Sequence, residues 1–224
     1  SYFILCIIAM VAIPSVYGQK DTTSISEKRV YTKQFELRHD NDFLHFTDQY
    51  YSTGSFLGLR SLIEPGKDTL QKKHFGFYLF QEIYTPSNIT ETNTVYFDRP
   101  YAGILGFLTE YSLANQKRFL EYKLAMGFTG QMSGAEGLQS LFHTAVATDS
   151  QTSTWNDQIA MSLHANLYVN YAYEIKFQPN PFSVHFAINP SLGFGTRDMY
   201  LEQDAVFYFG KRSPITETTA YKQL

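Results

Sequence analysis

Polar residues gather at four places in this chain: Asp40-Asn41-Asp42, Tyr50-Tyr51-Ser52-Thr53-Gly54, Asp98-Arg99-Pro100-Tyr101-Ala102-Gly103, and His143 followed by Asp149. These types suit proton transfer at an imidazole and oxygen ligation of a hard cation. Taken singly, each group also has a plain structural reading. The acidic group is a turn, Asp98-Arg99-Pro100 is a loop ion pair leading into a strand, and His143 is a solvated helix residue. Other chemistries fall away at once. No serine stands in a nucleophile elbow, no HExxH or phosphate loop occurs, and the six histidines never pair at metal-ligand spacing. The one cysteine, Cys6, falls in an N-terminal apolar run, so the exported protein is expected to carry neither a disulfide framework nor a thiolate metal site. Formal net charge is −3 with no basic run, so no nucleic-acid partner is expected.

The elements that must position these groups are strands. Residues 1–18 form an uncharged apolar run closed by a small residue, the pattern of a signal-peptide core and cleavage site whose start is missing. The fold is therefore expected in residues 19–224. From Leu163 to Phe177, Leu163, Ala165, Leu167, Val169, Tyr171, Tyr173, Ile175 and Phe177 share one face, and His164, Asn166, Asn170, Glu174 and Lys176 are among those on the other. A period of two held this long is a strand, and it exceeds the roughly 9 to 11 residues that a tilted membrane-crossing strand needs. Lys117 to Thr129 repeats the pattern, and weaker versions run through 31–38, 53–63, 75–84, 101–113, 182–194 and 205–209. Turn-like breaks such as Glu64-Pro65-Gly66-Lys67-Asp68 and Ala114-Asn115-Gln116 separate them, which predicts an up-and-down meander.

Alternation alone leaves two barrels open. A soluble lipocalin-like barrel buries its apolar face, whereas an outer-membrane barrel turns that face to lipid. The export signal, the strand length, and small or polar residues (Gly127, Thr129, Asn166, Asn170) opposite the apolar face favour lipid. One segment breaks the rhythm: in Ser133 to Ala147, Leu138, Leu141, Phe142, Ala145 and Val146 recur at helical spacing, predicting a short amphipathic helix in a loop. Lys211 to Leu224 is polar and shows no strand, so about eight strands are expected here and the closing C-terminal strands are expected to be missing.

The order of the motifs adds a further signal. Asn41-Asp42, Tyr51-Ser52-Thr53-Gly54, Gln81-Glu82-Ile83-Tyr84-Thr85-Pro86, Asp98-Arg99-Pro100-Tyr101-Ala102-Gly103, Gly137-Leu138-Gln139 leading to His143, and Trp155-Asn156-Asp157-Gln158 follow one another over residues 40 to about 160. In this the chain resembles the lipid A 3′-O-deacylase family of outer-membrane β-barrels. The resemblance implies an all-β, antiparallel, twelve-stranded transmembrane barrel in the bacterial outer membrane. Its site would lie between the outer wall and a helical extracellular loop. The implied activity is calcium-dependent hydrolysis of the 3′-acyloxyacyl ester of lipopolysaccharide, by a monomer surrounded by outer-membrane lipid. By motif, the catalytic residues would be His143 as general base, Asn41, Asp42, Ser52 in place of the usual Thr, and Asp149 in place of a Glu. Asp42 and Ser52 would hold Ca²⁺. A lysine expected shortly after Tyr84-Thr85-Pro86 is absent, and Glu91 stands near its place. Two other functions stay open: an outer-membrane phospholipase-type esterase, which would need a serine bonded to histidine, and a non-enzymatic, porin-like barrel.

Overall fold

The computed structural model describes residues 32–41, 50–65, 71–145, 153–177, 179–180, 182–218 and 221–222. The signal-like run 1–18, Asp42, Asp149 and the end of the helical segment at Val146-Ala147 lie outside the described residues. Eight antiparallel strands follow one another in a single sheet: β1 (Lys33–Asn41), β2 (Tyr50–Pro65), β3 (Gln71–Thr85), β4 (Ala102–Asn115), β5 (Arg118–Thr129), β6 (Leu163–Lys176), β7 (Val184–Gly195) and β8 (Tyr200–Phe209). Each strand pairs with its neighbours in sequence, as expected of a meander. Among the described residues, β1 and β8 each pair on one side only.

At one end of the sheet the β4–β5 turn is short; at the other end the β3–β4 and β5–β6 connections, 86–101 and 130–162, are long. Asn115 side-chain Oδ1 accepts the N–H groups of Lys117 and Arg118, closing the β4–β5 turn in two residues. The β3–β4 and β5–β6 connections lie at the opposite end, and the second of them carries the helix α1 (Ala135–Ala145). The helix starts two residues later than the sequence pattern suggests. A turn of 3-10 helix, Gln131–Ser133, precedes it, and Gly134 in the left-handed region separates the two. β8 is longer than its alternation suggests and starts at Tyr200, because Leu201 to Asp204 pair with Asn189 to Leu192 of β7 even though Gln203 breaks the apolar face.

The apolar face of the strands points outward. Leu163, Leu167, Ile175 and Phe177 of the most regular strand region are exposed, Leu163 by 83 %, and so are Phe75, Phe77 and Leu79 of β3 and Leu124 and Met126 of β5. Their sequence neighbours are buried and polar: His74, Glu121, His164, Asn166 and Glu174. A soluble barrel has the reverse arrangement, so the lipocalin-like alternative is set aside. A polar inside and an apolar outside suit a sheet whose outer solvent is hydrocarbon. Among the described residues no helix is long and apolar enough to cross a membrane; the crossing elements are strands.

Ion pairs fill the interior. Toward the short-turn end, Arg60 Nε donates to Glu110 Oε1 at 2.9 Å and its Nη2 donates to Ser112 Oγ at 2.7 Å. Lys222 Nζ reaches Glu110 Oε2 at 3.1 Å from a C-terminal segment that folds back into the lumen, and Ile215 and Tyr221 pack there on Phe119, Ala114 and Ala172. Toward the other end, Arg197 Nη2 lies 2.7 Å from Glu82 Oε2, joining the β7–β8 turn to β3 across the lumen, and Tyr84 Oη donates to the same carboxylate at 3.0 Å. A charge inside a barrel needs such a partner, because an uncompensated one costs several kcal/mol. Between the two groups lies a cavity of about 310 Å³ lined by Phe56, Tyr78, Phe80 and Tyr168 among others. A lumen crossed by ion pairs at two levels is a poor conduit, which weighs against the porin-like alternative.

Candidate functional site

At the N-terminal end of β2, on the side of the sheet where the long connections lie, the alternation breaks. Tyr51 pairs with Tyr84 and Thr53 pairs with Ile83, leaving Ser52 as the extra residue of a β-bulge. The bulge has a defined consequence for direction. Gly54, Tyr51 and Tyr84 keep the lumen side, where the two tyrosine rings lie 5.3 Å apart. Ser52 Oγ instead hydrogen-bonds Thr85 Oγ1 at 2.8 Å, and Thr85 shares the outer face with Gln81 and Ile83 by the strand period. Both hydroxyls are buried, although they lie on the outer side of the wall.

The β5–β6 segment packs on the outer face of the neighbouring β3 and β4. Gln81 Nε2 donates to the Ser133 carbonyl at 2.6 Å, fixing the start of the helical loop on β3. Gly103 of β4 lies under the same turn. A Cβ at that position would stand 2.0 Å from Ser133 Oγ and 2.3 Å from Ala135 Cβ, so the closeness of helix and wall requires the missing side chain. Ala135, Gln139 and His143, at successive steps of four, form the buried stripe of α1; His143 is 7 % exposed. This corrects the reading of His143 as a solvated helix residue. The apolar residues Leu138, Leu141 and Phe142, which one would expect to seek burial, are the exposed ones.

Gln139 is held in turn by Trp155, whose indole Nε1 donates to its Oε1 at 2.7 Å. Trp155 stacks on Tyr101 with centroids 5.0 Å apart, and these two with Ile83 and Ala135 make a small apolar core on the outer wall. Trp155 and Asp157 both have positive φ, 51° and 55°. A tryptophan in that region costs of order 1–3 kcal/mol and persists only where its surroundings fix it. Here the fixing contacts are the Gln139 bond, the Tyr101 stack and the Tyr101–Gln158 bridge, with Ile159 N–H donating to Tyr101 O at 2.9 Å.

The β3–β4 loop locks onto the same corner. Tyr101 Oη donates to Ile89 O at 2.8 Å, and Thr154 N–H donates to the same carbonyl at 3.2 Å. The expected Asp98–Arg99 ion pair takes another form. Asp98 Oδ1 accepts the Ser87 N–H at 2.9 Å, which holds its carboxyl below the usual carboxylate range, while Arg99 lies over the Tyr50 ring at 4.1 Å. Glu91 caps its own turn, accepting from the N–H groups of Thr92 and Asn93.

Of the residues singled out in the sequence, Ser52 and His143 are both buried on the outer side of the wall, at the end of the sheet that carries the long connections. Asn41 closes β1 opposite Thr53 at the same end. Asp42 and Asp149 lie outside the described residues. Sequence reasoning missed the roles of Thr85, Gln139 and Trp155, although all three stand inside the quoted motifs. It also missed a serine–imidazole contact: His39 Nδ1 and Ser55 Oγ are 3.0 Å apart across β1 and β2. The described oxygen donors of the corner are the hydroxyls of Ser52 and Thr85. Such a set suits a hard cation rather than a thiophilic one. Among the described residues no group of three His, Cys, Asp or Glu is placed to hold a metal.

A sheet with a polar inside and an apolar outside, carrying a buried imidazole on its outer wall beneath a loop helix, defines an outer-membrane β-barrel with a wall-side site. The chain belongs to the family of outer membrane protein LpxR, whose model matches residues 3–216, and its place is the bacterial outer membrane. Among solved structures it is similar to LpxR from Salmonella typhimurium, with 21 % identity and a TM-score of 0.59 over 71 % of this chain and 53 % of that one. The chain thus spans about half the length of the structure it matches. No curated protein sequence matches it.

Proposed function

We propose that the protein is a lipid A deacylase that hydrolyses the ester-linked 3′-acyloxyacyl group of lipopolysaccharide. The observation that carries this reading is the placement of His143. His143 is buried on the same stripe of α1 as Ala135, which packs on Ile83 of the outer face, so its stripe meets the side of the wall that faces lipid rather than the side that faces the lumen. A base so placed meets a substrate that arrives within the membrane plane.

In the proposed reaction the neutral imidazole of His143 takes a proton from water as the water oxygen adds to the ester carbonyl carbon. The carbon–oxygen bond to the sugar then breaks, and the imidazolium returns its proton to the leaving alkoxide. The products are a free acyloxyacyl acid and a sugar hydroxyl. Asp149 orients the ring, and Asn41 donates a hydrogen bond to the reacting ester. Calcium, held by Asp42 and Ser52, would supply positive charge for the developing oxyanion. The Ser52–Thr85 hydrogen bond, in which either hydroxyl can donate, holds the Ser52 oxygen in place and is compatible with a ligating role for it.

The His39–Ser55 contact is what favours the second reading, a phospholipase-type esterase working through an acyl-serine. Both readings are tested together by mass spectrometry of lipid A after exposure to the full-length variants. His143→Gln should lower deacylation by roughly 10²- to 10⁴-fold, the usual loss on removing a general base, while Ser55→Ala should leave it unchanged. Near wild-type turnover in His143→Gln with loss in Ser55→Ala would transfer the chemistry to the serine.

A further inference from the structure

We propose that helix α1 lies along the membrane surface with one edge immersed in the acyl chains of the surrounding outer leaflet, so that bulk lipid is the partner of its exposed apolar stripe. At about 100° per residue the helix carries three stripes. Ala135, Gln139 and His143 form the buried one, against the barrel wall. Leu138, Leu141 and Phe142 form a second, centred roughly 110° away by the same geometry, and all three are exposed, Leu141 by 63 %. Glu136, Ser140 and Thr144 form a third, exposed and polar, on the other side of the buried stripe.

In water this arrangement is inverted, since the helix buries a glutamine and an imidazole and exposes leucines and a phenylalanine. At a lipid–water boundary it is ordered correctly: wall on one side, hydrocarbon on the second, water on the third. The exposed stripe also continues a surface already facing lipid. Down the outer face of β4, Gly103 under the helix is followed by Leu105 and then by the exposed Phe107, four residues or about 13 Å away at a strand rise of about 3.3 Å per residue. On β3 the covered Ile83 gives way to the exposed Leu79 in the same distance. The helix therefore sits on the upper rim of the apolar band. The consequence is that its lipid-side edge borders the acyl chains beside His143 before any substrate is bound.

The inference concerns the resting membrane and stands apart from the reaction proposed above. It is tested with the full-length protein in phosphatidylcholine vesicles free of lipopolysaccharide, using a Cys6→Ser background and single spin labels at Leu141→Cys and Ser140→Cys. The measurement is accessibility to oxygen, which partitions into hydrocarbon, and to a water-soluble nickel chelate. The label at position 141 should show an oxygen-to-nickel ratio several-fold above that at position 140 and close to that of Leu59→Cys on the outer face of β2. Phe142→Cys provides a second reading of the same edge. Equal, water-like ratios at 140, 141 and 142 overturn the proposal. So does shielding that arises only when lipid A is added, because the occupant would then be the substrate. Loss of activity in a variant that keeps the lipid signature bears on the catalytic reading alone.

Discussion

Replacing Gly103 by alanine should displace the loop helix without disturbing the barrel. The new Cβ would lie 2.3 Å from Ala135 Cβ and 2.0 Å from Ser133 Oγ, whereas carbon atoms in contact settle near 3.5 to 4.0 Å. Something must retreat by more than about 1 Å. β4 is held on both sides by ladders to β3 and β5, while the helix start is held by the Gln81 bond and the small core around Tyr101 and Trp155. The helix yields first. Overpacking of this kind costs about 1–3 kcal/mol, and a catalytic group displaced by about 1 Å commonly loses roughly 10² in rate. Gly103→Ala should therefore keep heat-modifiable gel mobility, a sign of an intact barrel, and lose about two orders of magnitude in lipid A deacylation measured by mass spectrometry. Adding Ser133→Ala and Ala135→Gly removes both close contacts and should restore part of the rate. Wild-type turnover in Gly103→Ala, or a triple variant no better than the single one, would refute the claim that this close approach sets the position of His143.

The outward apolar face gives a second prediction: Leu79→Arg, placed toward lipid on β3, should destabilise the barrel in vesicles by about 2–4 kcal/mol if it lies near the bilayer midplane, and urea unfolding unchanged from wild type would contradict the assignment of faces. A third concerns calcium. Chelation with EGTA should abolish deacylation, and calcium but not zinc should restore it; full activity after exhaustive chelation would remove the metal from the mechanism. Asp42→Ala should lower turnover in a way that added calcium partly relieves. A fourth tests the strained loop: Trp155→Ala removes the Gln139 bond and the Tyr101 stack together and should cut turnover with the barrel intact, whereas unchanged kinetics would show that this clamp does not position α1.

The strands were legible in the sequence because a membrane wall imposes one rule on every residue. Its period is two, and hydrocarbon outside with ion pairs inside keeps the two faces chemically distinct over the whole of Leu163–Lys176. In β8 that contrast weakens, because Gln203 shares the face of Leu201, and only the ladder to β7 shows that the strand begins at Tyr200. The motif order likewise pointed to the family and to His143, Asn41 and Ser52 as residues to watch. What tertiary structure decided was direction. Periodicity cannot say which face meets lipid, and a bulge at Ser52 is invisible in sequence because one extra residue changes no composition. The helix shows the same limit more sharply. Its apolar stripe suggests the packed side, yet the wall takes Gln139 and His143, because Trp155 supplies a hydrogen-bond partner for the glutamine and the apolar residues have lipid as an alternative to the core. Amphipathicity read from sequence names two faces of an element; which of them is buried depends on whether the medium beyond it is water or hydrocarbon, and that is settled only when the element is seated on its neighbours.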